Sequence, residues 1–243
     1  MNKDKKRMMK GYRLDTKDDF VFYLYQLICR CYKMLKKQDL YLDRLSAYLS
    51  EVQSKNVIIA TDKIDIPYND YTDFLALLSH VETGLLNIIG DLQDSSLSYY
   101  KFRNIVAKRK KKGILHFEVS DISEEVLDIL KRFNSHRNFQ NHIPESLITS
   151  EAKLMDTGKL TEIELNPCAI WFHEFCTLEF VDDMYQSYKD MNRQAYIVFN
   201  SMKVDIECLL GHKFVIIDIP IKVSRGIEHL APVKLAADIQ GLH

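Results

Sequence analysis

With 243 residues, the chain is long enough for one large domain or two small ones with a sizeable buried core. Apolar residues make up 47% and charged residues 28%, which sets aside disordered, collagen-like and membrane-spanning classes. The formal net charge of −1 argues against strong nonspecific nucleic-acid binding, yet residues 1–112 carry 21 Lys+Arg against 14 Asp+Glu (+7) and residues 113–243 carry 12 against 20 (−8).

Only eight glycines and five prolines occur, and a chain poor in turn-formers is built from long helices. The expectation is a mainly α protein, an antiparallel helical bundle with one or two short peripheral strands, forming a single domain over residues 1–243. The five cysteines, Cys29, Cys31, Cys168, Cys176 and Cys208, are odd in number and no apolar leader follows the basic N-terminus, so reduced thiols and a cytoplasmic protein are expected.

Thr16 is placed to cap a helix over residues 17–53, with Asp18 and Asp19 in its first turn. A stripe with steps of three and four runs from Val21 through Leu24, Ile28, Cys31, Leu35, Gln38, Leu42, Leu45 and Leu49 to Val52, either on one helix or on two joined near Gln38 and Asp39. A bundle seam is favoured over an intermolecular coiled coil. A short strand is expected over residues 56–60, followed by a helix over residues 74–92, capped by Asp70 or Thr72 and weakened by Gly84 and Gly90.

Ser95 or Ser96 is expected to cap the next helix, which ends in Lys108, Arg109, Lys110, Lys111 and Lys112 before Gly113. That run is ordinarily a solvated helix end; as a functional patch it would capture an RNA backbone by charge. A strand is expected over residues 114–119, then a helix opened by Ser120, Asp121 or Ser123, carrying Val126, Ile129, Leu130 and Phe133 and stopped by Pro144. Asn166 and Pro167 read as a helix start, with one or two helices continuing to Leu210, and residues 214–223 as an edge or irregular strand interrupted by Pro220.

Residues 133–144 are unusually polar for a packing helix. Asn138 and His142 are four apart and Arg137 adjoins Asn138, so a guanidinium, an amide and an imidazole converge on one region of a helix. Arginine offers a two-pronged donor to phosphate oxygens, histidine moves protons near neutral pH, and asparagine orients either. The bland alternative is a helix terminus whose side chains satisfy local carbonyls.

Arg137-Asn138-x-x-x-His142 resembles the arginine–histidine motif of the HEPN (higher eukaryotes and prokaryotes nucleotide-binding) superfamily. The resemblance implies a HEPN-like core over about residues 17–156, a C-terminal helical extension over about 164–223, and a metal-independent endoribonuclease without cofactor. It further implies a homodimer with a composite site, in a toxin or defence system whose partners are RNA and an antitoxin or other defence protein. Arg137 would stabilise phosphate charge, His142 would transfer protons, and a ribose 2′-hydroxyl would attack. A noncatalytic HEPN-like scaffold that binds protein or nucleic acid is the rival. His136 is a weaker second imidazole. Cys168, His173 and Cys176 make an incomplete zinc set, better explained as core thiols, so no metal is expected.

Overall fold

The computed structural model describes residues 13–56, 64–141, 148–149, 152–153 and 173–218. Helix accounts for 76% of them and a two-stranded antiparallel sheet is the other regular element, so the fold is mainly α as the glycine and proline count implies. The chain divides into two compact units, Met1–His212 and Lys213–His243.

In the first unit, α1 (Lys17–Asn56) is one unbroken 40-residue helix. Its start is fixed reciprocally: Thr16 Oγ1 accepts from the Asp19 amide at 3.2 Å, while an Asp19 carboxylate oxygen accepts from the Thr16 amide at 2.7 Å. This satisfies amides that the first turn would otherwise leave without partners. All eight seam positions from Leu24 to Leu49 are buried, including Gln38, and Val21 and Val52 are half-buried at its ends.

The seam is covered within the chain. The sheet pairs β1 (Asp65–Pro67) with β2 (Phe175–Thr177), and each strand leads directly into a helix: α2 (Tyr68–Gly90) after β1, and α5 (Leu178–Leu210) after β2. Both helices run antiparallel to α1. Tyr32 stacks on Phe199 with ring centroids 5.8 Å apart, and Asn192 Nδ2 donates to Gln38 Oε1 at 3.1 Å and to Asp39 Oδ1 at 3.0 Å. On the other flank Tyr48 donates to Asp70 at 3.1 Å, near the start of α2.

Between α2 and α5 lie α3 (Tyr99–Lys111) and α4 (Glu124–Asn141). Phe102 packs between Phe20, Tyr23 and Tyr99. The inward stripe of α4, Val126, Ile129, Leu130 and Phe133, is buried as its spacing implies. A buried polar cluster ties α3 to α5: Arg103 donates to both carboxylate oxygens of Asp205, at 2.8 and 2.9 Å, and to the Ser120 carbonyl at 3.0 Å. Tyr99 and Ser120 donate to the same carboxylate. Desolvation, and then the Asp205 charge, push the Tyr99 phenol well above its ordinary value.

Several boundaries differ from the sequence reading. The second helix starts at Tyr68, not near 74, and neither Asp70 nor Thr72 caps it: sheet pairing delivers the chain to the helix, and the Tyr68 amide donates to the Glu174 carbonyl at 2.8 Å. Ser98, not Ser95 or Ser96, caps α3, accepting from Lys101 N at 3.2 Å while its own hydroxyl donates to the Asp91 carbonyl. Residues 114–119 form no strand; they span from Gly113, at φ 65°, to Ser123, whose hydroxyl accepts from Val126 N.

Residues 175–177 are strand, so the last long helix begins at Leu178 with Thr177 as its cap. It ends at Gly211, in the left-handed region at φ 77° that glycine enters without a Cβ clash. In the second unit, residues 213–218 are neither helix nor strand. The strand expected over 56–60 lies outside the described residues except Asn56, which ends α1; Pro144, Asn166, Pro167 and residues 219–223 also lie outside them.

Candidate functional site

The site is built on one close helix crossing. α2 and α4 run antiparallel, and Gly90 lies against the α4 backbone: a Cβ there would stand 2.6 Å from Asn134 N and 2.6 Å from the Phe133 carbonyl carbon. Only a residue without a side chain permits this approach. It brings Asn87 and Asp91, one turn apart at the end of α2, under the side chain of Arg137.

Arg137 is 8% exposed. Its Nη2 pairs with Asp91 Oδ2 at 3.3 Å, its Nε donates to Asn87 Oδ1 at 3.4 Å, and its Nη1 donates to Asn138 Oδ1 at 3.3 Å. Asp91 is equally enclosed, and its second carboxylate oxygen accepts from the Gln93 amide at 2.9 Å. The guanidinium is therefore engaged on all three nitrogens. The sequence pairing of Arg137 with Asn138 holds in space, with Asn138 on the exposed side of the arginine. His142 lies outside the described residues.

His136 is exposed on the neighbouring face of α4. Across from it Glu82 is half-buried, and desolvation raises its carboxyl above the ordinary range, partly offset by a hydrogen bond from Gln140 and the charge of His136.

The 108–112 run divides. Arg109 pairs with Asp15 at 3.1 Å and lies over the Phe20 ring, 5.5 Å from its centroid. Lys110 reaches Asp121 at 2.9 Å and the Val119 carbonyl at 3.0 Å. Lys108, Lys111 and Lys112 are exposed, without an ion-pair partner among the described residues, at the helix end where the macrodipole favours cations. A surface cavity of about 450 Å³ opens beside them, walled by Lys110, Leu115, residues 117–121 and Cys208. Neither Arg137 nor Asn138 lines it.

The described members of the cysteine readings differ in burial. His173 is exposed, Cys176 is half-buried on the inner side of β2, and Cys168 lies outside the described residues. Burial pushes the Cys31 thiol up to about 12, which removes it from thiolate chemistry. Among the described residues no cluster of His, Cys, Asp or Glu could hold a metal ion, and no helix is long and apolar enough to cross a membrane.

Sequence reasoning missed Asn87, Gly90 and Asp91. A glycine and a carboxylate at the end of an apolar helix were their only local signal, and nothing in the spacing joined them to an arginine 46 residues later. No family model, curated protein or solved structure matches the chain significantly.

Proposed function

We propose that this chain is a noncatalytic HEPN-like helical protein that binds RNA through the exposed end of α3. The observation that carries the reading is the contrast between its cations. Arg137 is enclosed and bonded on every nitrogen, whereas Lys108, Lys111 and Lys112 are exposed, with no ion-pair partner among the described residues. A phosphate approaching Arg137 would have to displace Asp91, leaving an enclosed carboxylate without its counter-charge, an exchange that costs several kcal/mol. The lysines meet a phosphate backbone with no such rearrangement.

RNA binding by the purified chain, measured against salt, tests this. Three phosphate contacts on a single strand contribute about 2 to the slope of log affinity against log salt. Changing Lys108, Lys111 and Lys112 together to Gln should remove that increment and weaken binding to unrelated RNAs alike. An unchanged slope would refute the interface.

A second reading is favoured by the contact between Arg137 and Asn138, which aligns two of the three motif residues. In it the chain is a metal-independent endoribonuclease, a homodimeric cytoplasmic toxin or defence effector held by an antitoxin, and Arg137 leaves Asp91 to act on phosphate with His142. Cleavage of mixed RNA in EDTA by the wild type, lost in both His142→Ala and Arg137→Lys, would establish it over the first.

A further inference from the structure

The end of the bundle far from the start of α1 carries an aromatic surface that the RNA-binding reading does not use. Burial alternates along the two short strands: Ile66 and Cys176 turn inward, while Asp65, Pro67, Phe175 and Thr177 face out. Register places Phe175 directly beside Pro67. Tyr68 follows in the first turn of α2 and meets Tyr71 edge-on, with centroids 5.4 Å apart; Tyr71 in turn meets Phe180 of α5 at 6.2 Å. Tyr68, Phe175 and Phe180 are 45%, 54% and 53% exposed. They form one continuous patch over the buried Tyr71.

The chain around this patch is acidic throughout. Residues 64–74 and 173–184 contain seven Asp or Glu and no Lys or Arg. Apolar rings carried on acidic stretches of chain fit a cationic segment with flexible apolar side chains. Residues 1–13 have that composition: six Lys or Arg against one Asp, with methionines at positions 1, 8 and 9. Methionine adapts to aromatic surfaces through its unbranched, polarisable side chain.

The charged centre of that segment cannot reach the patch of its own molecule. From Lys17 to Leu49, whose side chain shares the core beneath the patch, α1 covers about 48 Å at 1.5 Å per residue. The cations of residues 3–13 are centred about ten residues before Lys17, a reach of roughly 33 Å even when fully extended, well short of the patch. Any such docking therefore occurs between molecules.

We infer that the patch of Tyr68, Phe175 and Phe180 receives the basic N-terminal segment of a second copy of this chain. The segment joins the chain just before the start of α1 and the patch lies beside its far end, so the contact is heterologous, joining copies head to tail into rings or open chains.

Two measurements on the full-length protein test this. A labelled synthetic peptide of residues 1–13 should bind the chain, with affinity that falls as salt rises, while the same peptide with its Lys and Arg changed to Gln should not bind. Tyr68→Ser with Phe180→Ser should weaken peptide binding tenfold or more. Glu174→Gln with Glu179→Gln and Asp183→Asn, all exposed positions, should flatten its salt dependence. Circular dichroism confirms that each variant is folded, and the charge variant keeps the aromatic platform intact. By sedimentation velocity the wild type should gain mass with concentration in low salt, and the aromatic variant should not. Peptide binding that both variants leave unchanged would overturn the proposal. So would a chain that stays monomeric at 100 μM and ignores the peptide; its patch would then be open to a foreign partner.

Discussion

Replacing Gly90 with Ala adds one methyl group at the crossing of α2 and α4, and two physical effects of opposite sign compete. Alanine at the end of a helix interior is favoured over glycine by about 0.5–1 kcal/mol, so propensity alone predicts a stabler protein. Sterics predict the reverse. The new Cβ would stand 2.6 Å from two backbone atoms of α4, where ordinary contact begins at 3.4 Å, so the helices must part by about 0.8 Å. Backbone cannot rotate away as a flexible side chain does, and overpacking of this kind costs about 1–3 kcal/mol.

The same displacement would stretch the 3.3 Å contact between Arg137 and Asp91 to about 4 Å, beyond hydrogen-bonding distance. Taken together, a net loss of about 2 kcal/mol is expected, lowering Tm by about 4–8 °C for a chain of this size. Urea titration and calorimetry at neutral pH measure both quantities. A Tm equal to or above that of the wild type would refute the close crossing, and with it the explanation of why Arg137 is enclosed.

Arg137→Ala removes one partner of an enclosed pair and should destabilise by about 3 kcal/mol; combining it with Asp91→Leu should recover part of that loss, and additive losses in the double mutant would show that the pair is not coupled. Asp205→Asn strips the charge that Arg103 and Tyr99 both bind and is expected to cost about 3–5 kcal/mol, read from urea midpoints. Glu82 carries a raised carboxyl in the folded chain, so the folded state binds the proton more tightly, and stability should fall as pH climbs from the ordinary carboxyl value through the raised one. Glu82→Gln should therefore be stabler than wild type at pH 7 and closer to it at pH 3; the opposite order in thermal melts would place Glu82 in a stabilising ion pair instead.

Elements with strong apolar periodicity were legible in the sequence because the spacing is itself the cause of the packing. The α1 seam and the inward stripe of α4 were both visible as steps of three and four, and both are buried where expected. Features set by partners distant in sequence were not legible. Residues 65–67 become a strand because residues 175–177 pair with them, and three residues hold no period to read. The cap of α3 moved to Ser98 because its hydroxyl and amide also meet Asp91 and Tyr23, which Ser95 and Ser96 could not show.

The polar stretch of α4 illustrates the same division at the candidate site. The side chains of Arg137 and Asn138 meet as neighbours in the chain, a contact that adjacency makes legible. What holds the arginine is on another helix, and the sequence contains no mark of it beyond a glycine that reads as a weak point. Likewise the lysine run was visible, but not that Arg109 and Lys110 are held by Asp15 and Asp121.

The most extensive helix pairing joins the first long helix to the last. Gln38 meets Asn192 across 154 residues of sequence, and the Gln38 Nε2, fully enclosed, has no hydrogen-bond partner of its own among the described residues. At ribosomal rates of about 5–20 residues per second, the apolar stripe of α1 waits roughly 8–30 s for the middle of α5 to be synthesised. Through that interval the nascent chain presents a helix-long adhesive strip, and its survival depends on how quickly α2 covers one flank. The surface that the first helix opens is thus closed only once the last one has been made.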